Sequence, residues 1–108
     1  MEKAAIEYEN ALKFSVNTAD KVKAYSNLGS VKFKLGDYAG AINNCDKAIK
    51  LDTNYAFAYT NRGCAKQMLK NYEGAIEDYN RAIKSNPQEA NAIKNRNILL
   101  SIIENSKK

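Results

Sequence analysis

Few residues in this chain have the chemistry to break or make bonds. It contains no histidine, which removes the commonest general base and the commonest metal ligand. Cys45 and Cys64 lack the spacing of a metal site, and two thiols are too few for a disulfide scaffold. They read instead as small buried residues of a chain kept reduced, which sets the expectation of a cytoplasmic protein. Glu77 and Asp78 are neighbours in sequence, so on a helix they point in different directions and do not form an acid–base pair. Gly36 and Gly40 fall at a turn and a helix start, without the Lys-Ser/Thr that completes a phosphate loop. The expectation is a chain with no catalytic residue, no metal and no cofactor, not an enzyme, whose work is done by surfaces.

The polar residues that recur are more informative. Asn27, Asn61 and Asn95 stand 34 residues apart. An asparagine amide carries both donors and an acceptor, so a ladder of three could satisfy the backbone of an extended peptide. The alternative is that these amides pack between helices. Arg62 and Arg96 stand where the first copy of the same pattern has Leu28, and Asp78 stands where it has Asn44. Arginine and acid are therefore present together or missing together. That is the mark of a structural pair, Arg62 or Arg96 meeting Asp78, with a ligand-binding arginine as the other reading.

The elements that position these residues follow from a repeat. Ala24/Ala58, Tyr25/Tyr59, Asn27/Asn61, Gly29/Gly63, Lys32/Lys66 and Leu35/Leu69 match at one spacing, and so do Tyr38/Tyr72, Gly40/Gly74, Ala41/Ala75, Ile42/Ile76, Ala48/Ala82 and Ile49/Ile83. A fixed period of about 34 residues belongs to stacked helix pairs. Gly29 with Ala41, and Gly63 with Ala75, lack bulk and allow close approach within each pair. Tyr25 and Tyr59 are large enough to cover a helix junction. Gly36-Asp37 and Lys70-Asn71 sit where a first helix stops and a second begins, with Asp or Asn as the cap. The pattern predicts helices over Met1–Ser15, Ala19–Leu35, Tyr38–Leu51, Tyr55–Leu69, Tyr72–Ser85 and Pro87–Asn105. Thr18 is the expected N-cap of the second, Pro87 the opening of the sixth, and Phe14 to Lys21 a linker somewhat longer than the corresponding stretch at Leu51 to Tyr55.

The series Tyr25, Leu28, Gly29, Tyr38, Ala41, Ala48, followed by Tyr59, Gly63, Tyr72, Ala75, Tyr79, Ala82, Pro87, resembles the tetratricopeptide repeat. The resemblance covers Val22 to Glu89. It departs at Cys45, where the family usually has an aromatic residue, and at Thr53, where it usually has proline. It implies an all-α fold, a right-handed α-α superhelix of antiparallel pairs with six helices. The single domain 1–108 would divide into a half repeat (1–15, second helix only), two repeats (22–55 and 56–89) and a capping helix (87–105).

The resemblance also implies a binding surface, because the first helix of each unit lines the concave side of such a stack. The residues placed there are Lys23, Ser26, Asn27, Ser30, Phe33 and Lys34, then Phe57, Thr60, Asn61, Cys64, Gln67 and Met68. Asn91, Lys94, Asn95, Ile98 and Ile102 follow. The implied partner is a protein or peptide. Family members that clamp the acidic tails of heat-shock chaperones use Lys and Asn on the first helix, Asn on the next, and Lys plus Arg on the third. This chain has Ser26 and Ser30, then Asn61, then Asn91 and Asn95, so only Asn61 matches. Lys23, Lys34 and Lys94 make the surface mildly basic and favour a neutral or acidic ligand.

The net charge of +5 comes from lysines interleaved with acids, without an aromatic-basic stripe, so no nucleic acid is expected. Apolar residues come in short clusters, so no membrane span is expected, and the acids near Met1 do not suit a secretory signal. Ile98, Leu99, Leu100, Ile102 and Ile103 spread over more than half the circumference of the last helix. That suits a capping helix with some surface isoleucine, or an interface. The alternative function is self-assembly, a dimer or head-to-tail homo-oligomer through the terminal helices, with Ile6, Ile98 and Ile102 at the contact.

Overall fold

The computed structural model describes residues 2–14 and 17–107. Met1 and Ser15, the expected ends of the first helix, lie outside the described residues, as do Val16 and Lys108. Six helices follow one another: α1 Glu2–Phe14, α2 Thr18–Lys34, α3 Tyr38–Leu51, α4 Ala56–Met68, α5 Tyr72–Ser85 and α6 Ala90–Ser106. Successive helices pack on each other, and α4 also lies against α2 and α6. The result is a stack of antiparallel pairs, a helical-repeat solenoid, 52 Å long and 27 by 19 Å across.

Local chemistry sets the helix ends. The two hairpin turns have the same geometry from different residues. Gly36 has φ +83° and Lys70 has φ +66°, the left-handed conformation that ends a helix. In the first turn Asp37 N–H donates to Lys32 O at 2.9 Å and Gly36 N–H to Phe33 O at 3.0 Å. In the second, Asn71 N–H donates to Lys66 O at 2.9 Å and Lys70 N–H to Gln67 O at 3.0 Å. These bonds satisfy carbonyls that the helix would otherwise leave open. The next helix starts at once, with Asp37 accepting from Gly40 N–H at 2.9 Å and Asn71 from Gly74 N–H at 3.1 Å.

Three ends differ from the sequence reading. Asn17, not Thr18, caps α2, its side chain accepting from Ala19 N–H at 2.9 Å. Helix α4 begins at Ala56, and extended Tyr55 precedes it without a side-chain cap. Helix α6 begins at Ala90, because Asn86 turns the chain through Pro87 and Gln88 by accepting from Gln88 N–H at 3.1 Å. Glu89 then caps the helix, accepting from Asn91 N–H at 3.2 Å. Pro87 fixes φ in that turn rather than in the first helical turn.

The core is built largely from small residues. Ala24, Ala41, Ala48, Ala58, Ala65, Ala75, Ala82 and Ala92 are all buried. A Cβ added to Gly29 would come within 2.8 Å of Cys45 Sγ and 3.2 Å of Ala41 O, and one on Gly63 within 2.7 Å of Tyr79 Cε1 and 3.2 Å of Ala75 O. The glycines therefore permit close contact within each pair. Tyr25 packs at the junction of Val22, Ala48 and Ala58, and Tyr59 with Ala82 and Ala92 fills the equivalent junction one unit later.

Two stability measurements check this geometry. Gly63→Leu should cost about 1–3 kcal/mol, because the added bulk meets the Tyr79 ring and the α5 backbone. An unchanged urea midpoint would contradict the hairpin packing. Lys70→Gly should gain about 1 kcal/mol, the order of the penalty for a left-handed residue bearing a Cβ, whereas Gly36→Lys should lose a similar amount. Equal thermal midpoints for all three chains would show that neither turn is held in that conformation.

Candidate functional site

Lys23, Asn27, Ser30 and Lys34 lie on one face of α2 by helical spacing. The residues 34 positions later, Phe57, Asn61, Cys64 and Met68, lie on the same face of α4, and Asn91, Asn95, Ile98 and Ile102 on that of α6. Hydrogen bonds tie the three helices side by side along the asparagine row. Asn61 Nδ2 on α4 donates to Ser26 O on α2 at 3.3 Å, and Asn95 Nδ2 on α6 reaches Cys64 Sγ on α4 at 3.3 Å. Each amide is thereby held in one orientation while its carbonyl oxygen and second N–H stay uncommitted by that bond.

Lys23, Lys34, Phe57, Met68, Asn91, Lys94, Ile98 and Ile102 are exposed, while Asn27, Ser30, Asn61, Cys64 and Asn95 are half-buried. Two residues expected on this face are not there. Ser26 is fully buried and Thr60 nearly so, because their row turns inward against the next unit. Thr60 Oγ1 donates back to Ala56 O at 3.2 Å. Phe33, half-buried, meets the Tyr38 ring edge-on at 5.4 Å, and Gln67 Oε1 accepts from Tyr79 OH at 2.8 Å.

The thiols are protected rather than activated. Burial pushes Cys45 up to about 12. Burial also raises Cys64, opposed by hydrogen bonds from Tyr79 and Asn95. Neither is poised as a nucleophile, since that role needs the thiolate. Among the described residues no three His, Cys, Asp or Glu side chains gather as a metal site, and no helix is long and apolar enough to cross a membrane.

The most concentrated polar chemistry sits between helices. Arg62 on α4 forks onto Asp78 of α5, Nε to Oδ2 at 3.0 Å and Nη2 to Oδ1 at 2.7 Å, and its Nη1 reaches Asp46 of α3 at 2.9 Å. Lys66 Nζ meets Asp78 Oδ2 at 3.1 Å. Burial alone would lower the guanidinium pKa, but the hydrogen bonds and charges of Asp78 and Asp46 hold it above the usual arginine range. The structural pair read from the sequence is thus Arg62 with Asp78. Arg96 instead donates to Asn80 Oδ1 at 3.0 Å.

Asp46 was not singled out from the sequence, although the signal exists. Asp46 and Asn80 are separated by the same 34 positions as Arg62 and Arg96, and both arginines reach back to the preceding second helix. Arg81, also unanticipated, donates to Thr53 O at 3.2 Å. The guanidinium carbons of Arg62 and Arg81 lie 5.4 and 5.6 Å from the Tyr59 ring centroid. In the first unit the places of Arg62 and Asp78 hold buried Leu28 and buried Asn44, whose Nδ2 donates to Gly40 O at 2.9 Å.

Comparison with known proteins adds to this geometry. The family model described as tetratricopeptide repeat matches residues 22–55 and 56–89. No curated protein matches the sequence. Among solved structures the chain is similar to the TPR domain of OM64 from Arabidopsis, with TM-score 0.80 and 28% identity over 91% of this chain and 78% of that one. It is similar to MamA, with TM-score 0.77 and 28% identity over 93% of this chain and 57% of that one. The first TPR of Spaghetti (RPAP3), solved bound to the HSP90 peptide SRMEEVD, shares the fold, with TM-score 0.71 and 24% identity over 95% and 94% of the two chains.

The two solutions at the ionic site give a testable exchange. Arg62→Leu alone leaves the Asp78 carboxylate buried with only Lys66 and should cost about 3 kcal/mol. Adding Asp78→Asn recreates the Leu28/Asn44 arrangement and should recover more than half of that loss. A double variant no more stable than Arg62→Leu in urea unfolding would refute the equivalence.

Proposed function

The chain belongs to the tetratricopeptide repeat family, and from that premise we propose that it is a non-catalytic protein-interaction module. It holds a peptide or an extended protein segment in the concave groove formed by α2, α4 and α6. The observation that carries this reading is the asparagine row. Asn61 and Asn95 are fixed by bonds to the neighbouring helix and still offer an acceptor and a donor, which is what an extended backbone needs on both of its polar groups. Packing and binding are then two uses of one amide rather than rival explanations.

Lys23, Asn27, Ser30, Lys34, Phe57, Asn61, Cys64, Asn91, Lys94 and Asn95 form the proposed contact set. The chaperone-tail clamp does not carry over, because Ser26, Ser30, Asn91 and Asn95 stand where that clamp needs other side chains. Nucleic acid and membrane are not partners in this reading, and the cytoplasm is its natural setting.

Exposure of Ile6 (57%), Ile98 (48%) and Ile102 (52%) favours one second reading, self-assembly through the terminal helices. Sedimentation velocity over a hundredfold concentration range separates it from binding in the groove.

The test of the groove is direct. Peptides selected from a displayed random library on the intact domain should shift the amide resonances of α2, α4 and α6. Asn27→Ala/Asn61→Ala should weaken the best of them by roughly 1 kcal/mol or more, since it strands peptide polar groups. Unchanged affinity in that double variant would remove the asparagine row from the binding site.

A further inference from the structure

We infer that the groove is directional. It takes a segment of another protein that carries acidic side chains where it crosses α2 and aliphatic side chains where it crosses α4 and α6. This deepens, and rests on, the groove-binding reading above.

The first observation is how acids are distributed. Helix α2 has only Asp20, in its first turn; α4 has no acid; α6 has only Glu104, near its end. The other acids belong to α1, α3, α5 and the turns. The two cations of α4, Arg62 and Lys66, are already committed to Asp46 and Asp78. Among the described residues, Lys23 and Lys34, both exposed on the groove face of α2, form no salt bridge. An acidic ligand gains from both, and a basic one is repelled.

The second observation is the change in side chains across the rows. Ser30 on α2 becomes Cys64 on α4 and Ile98 on α6, and Lys34 becomes Met68 and then Ile102. Met68, Ile98 and Ile102 are 51%, 48% and 52% exposed, and Phe57 is 36% exposed. A lone exposed isoleucine is ordinary. Here the apolar residues line up on two adjacent helices at the end opposite the lysines, so aliphatic side chains of a ligand would cover them together. Lys94 does not reverse this gradient. It continues the row of Ser26 and Thr60, beside the row of Asn91, Asn95, Ile98 and Ile102 rather than on it, and is one cation at the edge of the contact set against two on α2.

Geometry sets the length of the ligand. Packed helices lie about 8–10 Å apart, so α2 to α6 is two such steps. An extended chain advances roughly 3.3 Å per residue, and about six residues cross the groove. The matching ligand has two or three acids, a short spacer and two or three aliphatic residues.

The experiment uses the full chain and capped nine-residue peptides with three acids and three aliphatic residues. They are made in both orders, each with a spin label at the charged end, together with a version bearing lysines in place of the acids. One of the two acidic orders should bind, with the label broadening amides around Lys23 and Lys34 but not around Ile98 and Ile102. The lysine version should bind at least tenfold more weakly. Lys23→Glu/Lys34→Glu and Ile98→Ser/Ile102→Ser should each reduce affinity at least tenfold without moving the thermal midpoint. Broadening centred on α6, equal binding of acidic and lysine peptides, or unaltered affinity in both variants would overturn the inference. So would failure of both acidic orders to bind at millimolar concentration. Shifts confined to α2, α4 and α6 without a preferred order would overturn directionality alone. Shifts elsewhere on the chain would overturn the groove reading as well.

Discussion

The close approach of paired helices is the constraint on which this structure depends. Helix α2 meets α3, and α4 meets α5, at glycines with no room for even one added carbon. Facing them are Ala41 and Ala75, fully buried and nearly as small. Once each pair is closed to that distance, the spacing of the stack follows. The tyrosines Tyr25 and Tyr59 then have one size of junction to fill, and the first helices come near enough for Asn61 and Asn95 to reach across. A proposed binding face made from three helices is therefore a product of packing inside each hairpin, although no glycine of that packing touches the face itself.

The two units solve the inside of that packing differently. Where the second unit has Arg62, Asp78 and Tyr79, the first has Leu28, Asn44 and Cys45. Buried charge is costly unless it is paired and hydrogen-bonded, and Arg62 meets that condition by reaching from α4 to both α3 and α5. The apolar version needs no such satisfaction, and Asn44 closes its own polar group on the backbone one turn earlier. Charge at this place is one permitted solution of the fold rather than a requirement. Its particular effect is to tie α3, α4 and α5 to a common point.

Much of the fold was legible because its cause is periodic. Helix number, both hairpin turns, the Asp37 and Asn71 caps and the Arg62–Asp78 pair all follow from residues that match or exchange together at one spacing. The reading fell short where the cause is local or three-dimensional. Asn17 beats Thr18 as a cap by one position, a difference set by backbone angles. Pro87 is as good in a turn as at a helix start, and Asn86 decides between them. The family resemblance places Ser26 and Thr60 on the concave face, yet both are buried, because their row turns inward against the next unit, which sequence spacing does not reveal. The asparagine row was visible as a pattern, but its bonds to Ser26 O and Cys64 Sγ depend on how the helices are stacked. Peptide contact at that row and the directional groove are proposals built on that stacking.

The pattern of contacts has a consequence for how the chain acquires this shape. Among the described residues, each helix touches only its neighbours in sequence, or the next helix but one in the pairs α2–α4 and α4–α6. Contacts reach no further along the chain than the next helix but one, so little loop-closure entropy is spent before packing begins, and low contact order of this kind goes with fast folding. Cooperativity then passes from unit to unit rather than through one central core. Amide hydrogen exchange should accordingly be graded, slowest in α4, which packs against four other helices, and fastest toward the terminal helices.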